Sequence, residues 1–230
     1  LYRSGDFAKL EGYDLAALLR TPENIDPAVV DASLDRLRIM TIAPELPGSL
    51  ALIERLAGLG IVPSIGHSAA TIDDARAGYR AAGTATPKTT THLFNAMTGV
   101  DHRLPGLAVA ALTDDDAYVE LVADGFHVHP ALWPIILRSK PAGRLVLISD
   151  AMSLAGCGDG PGSIGGLDVV VKDGRVTLTG TDTLAGSVVA INMAVRNLAR
   201  EGIPLPVAVA AASSSPAALL GETDRGRIEV

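Results

Sequence analysis

The chain has 230 residues, 48% hydrophobic and 20% charged, with a formal net charge of −7; this suits a globular protein with one large core and excludes a disordered chain. The acidic balance argues against nucleic acid or an anionic membrane as the main partner, although a few local cations or backbone N–H groups suffice to hold an anionic small molecule. Cys157 is the single cysteine, no apolar run reaches the ~18 residues of a membrane span, and "LYRSGDFAK" lacks the apolar segment of a signal peptide, so a cytoplasmic protein with a single domain over residues 1–230 is expected.

From about residue 28 the chain alternates helical and strand-like segments. Residues 28–38 have helical apolar spacing, and "IMTIAPE" (39–45) reads as a short buried strand. Residues 50–59 are helical and stop at Gly60, a suitable helix-stop residue. "IVPSIGH" (61–67) is the next strand, and a helix over 71–82 follows, with Asp73 and Asp74 suited to its first turn. "TTTHLFNAM" (89–97) supplies a strand and loop, "AYVELVADGFH" (117–127) another strand, 130–138 a helix and "RLVLISD" (144–150) an apolar strand. Strands apolar on both faces and alternating with helices predict a parallel sheet covered by helices.

The rhythm then changes. "GSIGGLDVVVKDGRVTLTGTDTLAGS" (162–187) predicts a β-hairpin turning at Lys172-Asp173-Gly174-Arg175, and helices follow over 187–200 and 206–220. The Gly-rich "AGCGDGPGSIGG" (155–166) lacks the strand–GxGxxG–helix context of a phosphate cradle and reads as a mobile loop. About five or six core strands are legible, whereas a closed (β/α)8 barrel needs eight. A barrel here would therefore be incomplete or degenerate in its N-terminal part.

Chemistry-bearing side chains fall at the strand ends. Four core strands end at Glu45, His67, His92 and Asp150, and a fifth is followed by His127. In parallel α/β folds the C-terminal strand ends face the ligand. Two imidazoles and a carboxylate from separate strands make a borderline divalent-metal site with a position open to water, and Asp150 suits the base for that water. Each residue alone has a plainer reading: a strand-end histidine is more often structural, Glu45 suits a cap or surface carboxylate, and Asp150 an N-cap. Clustering favours the metal, since of the five histidines only His102 lies away from a strand end.

"TIAPE" (41–45), "GHSAAT" (66–71), "THLFNAM" (91–97), "HRLPG" (102–106), "ADGFHVHP" (123–130), "ISDAM" (148–152) and "LAGS" (184–187) occur in this order. As an ordered set they resemble N-acetylglucosamine-6-phosphate deacetylases of the metal-dependent amidohydrolase superfamily, over about residues 14–230. The resemblance implies a TIM-barrel-like scaffold and one divalent ion, zinc first and iron, manganese or cobalt also, on Glu45, His67 and His92. It implies Asp150 as the proton-transfer residue. Asn95, Ala96, Arg103, His127 and the stretch Leu184, Ala185, Gly186 and Ser187 would bind an amino-sugar phosphate, in a homodimer where Arg103 reaches the neighbour's site.

The sequence departs from the family at "KLEG" (9–12), which runs straight into "YDLAALLRTP". A family loop carrying a histidine that polarises the substrate carbonyl is expected to be missing there, leaving metal binding intact and turnover severely reduced. The small β-domain and first barrel strands are expected to be missing too. Two rivals stand beside the deacetylase: a related amidohydrolase for another N-acyl sugar phosphate such as the galactosamine analogue, and an inactive relative kept for binding or assembly. Trp133 is expected in the core, and His129 and Cys157 are expected to have no catalytic part.

Overall fold

The computed structural model describes residues 36–227. The "KLEGYD" segment and residues 28–35 of the helix expected over 28–38 lie outside the described residues, and its last three residues, 36–38, are not helical.

Five short strands form one parallel sheet in the order β1-β2-β3-β4-β5, without reversal. They are β1 (Ile39–Ile42), β2 (Val62–Ile65), β3 (Thr89–Thr90), β4 (Tyr118–Val122) and β5 (Leu145–Ile148). Between them run α1 (Ser49–Gly58), α2 (Ile72–Ala82), α3 (Leu107–Thr113) and α4 (Trp133–Ser139), the last entered through a 3-10 turn at Pro130–Leu132. After β5 the chain makes a separate antiparallel sheet, β6 (Gly160–Ile164), β7 (Leu167–Lys172) and β8 (Arg175–Leu178). It closes with α5 (Ile191–Arg200), α6 (Leu205–Ala212) and α7 (Ser214–Leu219).

Local chemistry sets the helix ends. The α1 C-terminus closes at Gly60 (φ 74°), where Gly60 N–H meets the Ala57 carbonyl and Ile61 N–H the Leu56 carbonyl, a pairing that needs a residue tolerant of positive φ. Thr71 and Asp74 form a reciprocal capping box at the start of α2. The stretch 206–220, expected as one helix, is two, broken at Ser213 (φ −137°, ψ −79°). Pro216 is the cause: it has no N–H for the Ala212 carbonyl, and its ring would collide with that carbonyl in a continuous helix. Helix α3 was not foreseen. Its cap comes from Thr98, nine positions upstream, whose hydroxyl accepts from the Leu107 N–H at 2.7 Å.

Two corrections concern the faces and the second sheet. The sheet is not apolar on both sides. Ile42, Ile65, Val119, Leu121, Leu145 and Leu147 face the helices in the main core. The opposite face carries Thr41, Ser64 and Thr89 in register, with Glu120 on the same side of β4; its apolar part, Val62, Tyr118 and Val146, packs with Leu219. The expected hairpin is a three-stranded meander, and residues 160–164 of the expected mobile loop form its first strand. The turn at Lys172–Arg175 is as foreseen, with Asp173 and Gly174 both at positive φ (51° and 77°). The additional turn uses Gly165 and Gly166 (φ 56° and 85°). Trp133 is buried as expected, 2% exposed. Among the described residues no helix is long and apolar enough to cross a membrane.

Candidate active site

All strands of the main sheet run parallel, so their C-terminal ends share one edge. Each of three predicted residues stands two positions past a strand end: His67 after Ile65, His92 after Thr90 and Asp150 after Ile148. All three have positive φ (49°, 30° and 47°), as have Phe94 and Ala96 in the His92 loop. Such a conformation costs a non-glycine residue about 1–3 kcal/mol and persists only where the surroundings enforce it, a concentration typical of functional loops. Gly66 is part of the enforcement, because a Cβ there would lie 2.6 Å from the Thr91 Cβ. The β2 and β3 ends therefore close to a distance that a side chain would forbid.

That closure brings His67 and His92 together, with their Nε2 atoms 2.8 Å apart and their rings edge to face. Burial pushes the His92 imidazole below the ordinary histidine range, against the pull of the Asp150 carboxylate and with help from the nearby His127. His92 Nδ1 is buried without a hydrogen-bond partner. Glu45 reaches the His67 loop: one carboxylate oxygen accepts from the Ser68 hydroxyl and the other from the Ala69 N–H, both at 2.7 Å. Its carboxylate is thus turned to the residues that follow His67. Among the described residues no group of three or more His, Cys, Asp or Glu side chains is gathered closely enough to enclose an ion. The donor chemistry nevertheless fits a divalent cation. Two imidazoles present their nitrogens tip to tip, and nitrogens sharing one ion at about 2.0–2.1 Å each stand roughly 3 Å apart.

Backbone pairing gathers the remaining predicted residues. Ser68 N–H donates to the Ala96 carbonyl at 3.0 Å, tying the His67 loop to the His92 loop. Asn95 folds its amide onto the carbonyls of His92 and Leu93, both at 3.1 Å, and so shapes the turn that it belongs to. The Ser187 N–H donates to the Asp150 carbonyl and the Met152 N–H to the Ser187 carbonyl. This places the Leu184–Ser187 stretch beside Asp150, whose side chain is exposed. Arg103 is exposed on the loop before α3, where Asp101 accepts the Arg103 and Leu104 N–H groups, both at 2.7 Å. His129 is exposed and caps the Ala131 N–H; Cys157 is exposed.

Two site residues were missed from the sequence. Asp124 holds His127: its Oδ2 meets His127 Nδ1 at 2.6 Å while Oδ1 accepts the Phe126 and His127 N–H groups. Burial pushes the Asp124 carboxyl up, but the His127 side chain and these amides pull it below the ordinary value. The aspartate of "DGFH" looks like an ordinary turn residue, so only the contact reveals it. Glu120, inside β4 and 8% exposed, is the other. Burial raises its carboxyl to about 7, against hydrogen bonds from the His92 N–H and the Thr89 and Ser64 hydroxyls. An acidic residue inside an otherwise apolar strand was the one signal available.

No protein-family model matches the chain. Curated relatives match most of it. It is 39% identical over 194 residues to the N-acetylgalactosamine-6-phosphate deacetylase of Escherichia coli O157:H7, covering 84% of this chain and 50% of that protein. It is 38% identical over 199 residues to the N-acetylglucosamine-6-phosphate deacetylase of Danio rerio, covering 84% of this chain and 48% of the relative. Among solved structures, a mutant Mycobacterium smegmatis N-acetyl-D-glucosamine-6-phosphate deacetylase in complex with N-acetyl-D-glucosamine-6-phosphate matches with TM-score 0.82 at 40% identity, over 92% of this chain and 56% of that one. The Pasteurella multocida N-acetylglucosamine-6-phosphate deacetylase matches with TM-score 0.85 at 28% identity, over 100% of this chain and 58% of that one. The chain spans about half the length of the curated relatives it matches, 50% and 48% for the two named.

Proposed function

We propose that this chain, a relative of the N-acetylglucosamine-6-phosphate deacetylases, carries the metal-binding and proton-transfer residues of an amidohydrolase that converts N-acetylglucosamine 6-phosphate to glucosamine 6-phosphate and acetate. The observation that carries it is the meeting of His67 and His92 at 2.8 Å, beside an aspartate on the same sheet edge. The unreversed strand order favours the arc of a (β/α)8 barrel over a doubly wound sheet, which would change direction at a switch point.

His67, His92 and Glu45 are the proposed ligands of one divalent ion, zinc first, with iron, manganese and cobalt acceptable to the same donors. When bound, that ion supplies Lewis acidity for the acetamide carbonyl and lowers the pKa of a coordinated water. Asp150 takes the proton from the attacking water and returns it to the departing amine nitrogen, so one carboxylate serves as base and then acid. His127, aimed by Asp124, binds the sugar phosphate together with Arg103 and the Asn95–Ala96 turn, the guanidinium suiting a phosphate by its paired donors. Leu184, Ala185 and Gly186 back the sugar next to Asp150.

The proposed assembly is a cytoplasmic homodimer. Val100 and Leu104 flank Arg103 with 65% and 83% exposure, apolar surface that a second copy would cover while Arg103 reached the neighbouring site. The 39% identity to a galactosamine-type deacetylase favours that epimer as the second substrate reading. Asp150→Asn in the purified metal-loaded protein tests the mechanism. Acetate release from N-acetylglucosamine 6-phosphate should fall by about 10³-fold or more, with the circular dichroism spectrum unchanged. Turnover at the wild-type rate would overturn the role of Asp150. Parallel kcat/KM values on the glucosamine and galactosamine substrates decide between the epimers.

A further inference from the structure

Glu120 occupies the middle of β4 between Val119 and Leu121, which face the main core, while Glu120 itself lies on the polar face with Thr41, Ser64 and Thr89. A buried carboxylate there needs converging donors, and it has them. The Thr89 hydroxyl donates to it at 3.3 Å and the Ser64 hydroxyl at 3.5 Å, and the nearby His92 N–H favours its charged form. The backbone of the same residue completes the grip, because the Glu120 carbonyl accepts the Leu93 N–H at 2.8 Å. The loop that carries His92 is therefore held to one residue through the Leu93 amide, with the His92 amide near its carboxylate. The hydroxyls extend the network sideways: Ser64 meets Thr91, and Thr91 meets Thr41 at 3.0 Å. Carboxylate and hydroxyls so link β1, β2, β3 and β4 directly beneath the imidazole pair.

His92 holds φ 30°, a conformation that a free loop would abandon. Its ring makes no hydrogen bond through Nδ1, so no side-chain partner on that nitrogen orients it. Beside the Nε2 contact with His67, the backbone clamp fixes where the ring starts from. We propose that Glu120 is a positioning residue for His92, holding the β3 loop so that Nε2 meets Nε2 of His67 and thereby setting the affinity of the site for its divalent ion. The part of this inference that concerns the ion rests on the metal-site reading above; the clamp itself does not.

The test uses Glu120→Leu, which keeps bulk and removes the acceptor, Glu120→Gln, which keeps an acceptor oxygen, and His67→Ala. In metal-free protein, hydrogen exchange at the His92 amide should be slow in the wild type, fast in E120L and slow again in E120Q. In chelator competition with cobalt(II), E120L should bind roughly 10–100-fold more weakly and shift the d–d absorption bands, while E120Q recovers both. An unchanged His92 exchange rate in folded E120L would overturn the clamp. A lowered melting temperature with wild-type cobalt affinity and spectrum would overturn the positioning role and leave Glu120 as a stability residue. If H67A binds cobalt like the wild type, the metal-site reading falls, and the exchange data still decide the clamp. Should E120L not fold, Glu120→Asp, which withdraws the carboxylate from the His92 N–H, takes its place under the same criteria.

Discussion

Asp124 shows how a single buried carboxylate ties stability to the orientation of a binding residue. Its side chain is 5% exposed and that of His127 7%, so an Asn in its place keeps an oxygen for the two amides but sets an uncharged NH2 group against the buried His127 Nδ1. Asp124→Asn should cost about 1–3 kcal/mol and raise KM more than it lowers kcat, because His127 is proposed to bind and not to react. The acid limb follows from the depressed Asp124 carboxyl. A carboxyl whose folded value lies below its unfolded value, about 3.9, stabilises fully above that pH and loses the contribution as pH falls through the folded value. The Tm difference between wild type and D124N should therefore shrink below about pH 4; a difference constant from pH 6 to 2.5 would contradict the pairing. At this scale the places of His67, His92 and Asp150 just past the strands were legible, because the strand–helix rhythm marks where each strand gives way to a loop. Asp124 and Glu120 were not, since one looks like any turn aspartate and the other's role depends on which neighbours its face meets.

Elements position the site through two close approaches. At Gly66 a Cβ would stand 2.6 Å from Thr91 Cβ and 3.0 Å from its hydroxyl, so Gly66→Ala must push the β2 and β3 ends apart. Overpacking of this kind costs about 1–3 kcal/mol, and the same displacement separates the two imidazoles. G66A should lower both Tm and cobalt affinity, whereas Gly58→Ala, where a Cβ meets nothing within 4 Å, should leave the affinity unchanged. Equal affinities in the two variants would remove Gly66 from the site's construction. The second approach is at Gly106, where a Cβ would be 2.2 Å from the Thr98 side chain that caps α3. That helix was illegible because its cap lies far upstream and its seven residues, LAVAALT, carry little pattern. The α2 cap was legible because Thr71 and Asp74 sit at the spacing of a capping box.

At the scale of the whole molecule, the alternating rhythm of strands and helices was sufficient to anticipate a parallel sheet. It could not anticipate the polar face, because Thr41, Ser64, Thr89 and Glu120 become one surface only when the register is known. The meander was hidden for a similar reason: Gly160–Ile164 has poor strand propensity and forms by pairing with β7. Assembly is testable at this scale. Leu104→Asp places a charge where a side chain 83% exposed is proposed to meet its copy, and it should shift sedimentation toward the monomer. In that monomer the further change Arg103→Ala should have little additional effect on KM, while in the dimer it should raise KM markedly. A wild-type protein that sediments as a monomer at working concentration would rule the dimer out.

The meander leaves the main sheet just after Asp150 and returns at Ser187, where the Ala151–Ser187 bridge and two backbone hydrogen bonds fasten the exit to the re-entry. Its own small core of Met152, Val169, Val171 and Val176 holds it together. Because both feet stand on the same spot, the span between them can lengthen, shorten or be exchanged at small entropic expense without displacing the aspartate. Under the proposed function, the meander is thus a stretch that can vary in length and sequence while the proposed acid–base residue stays in place.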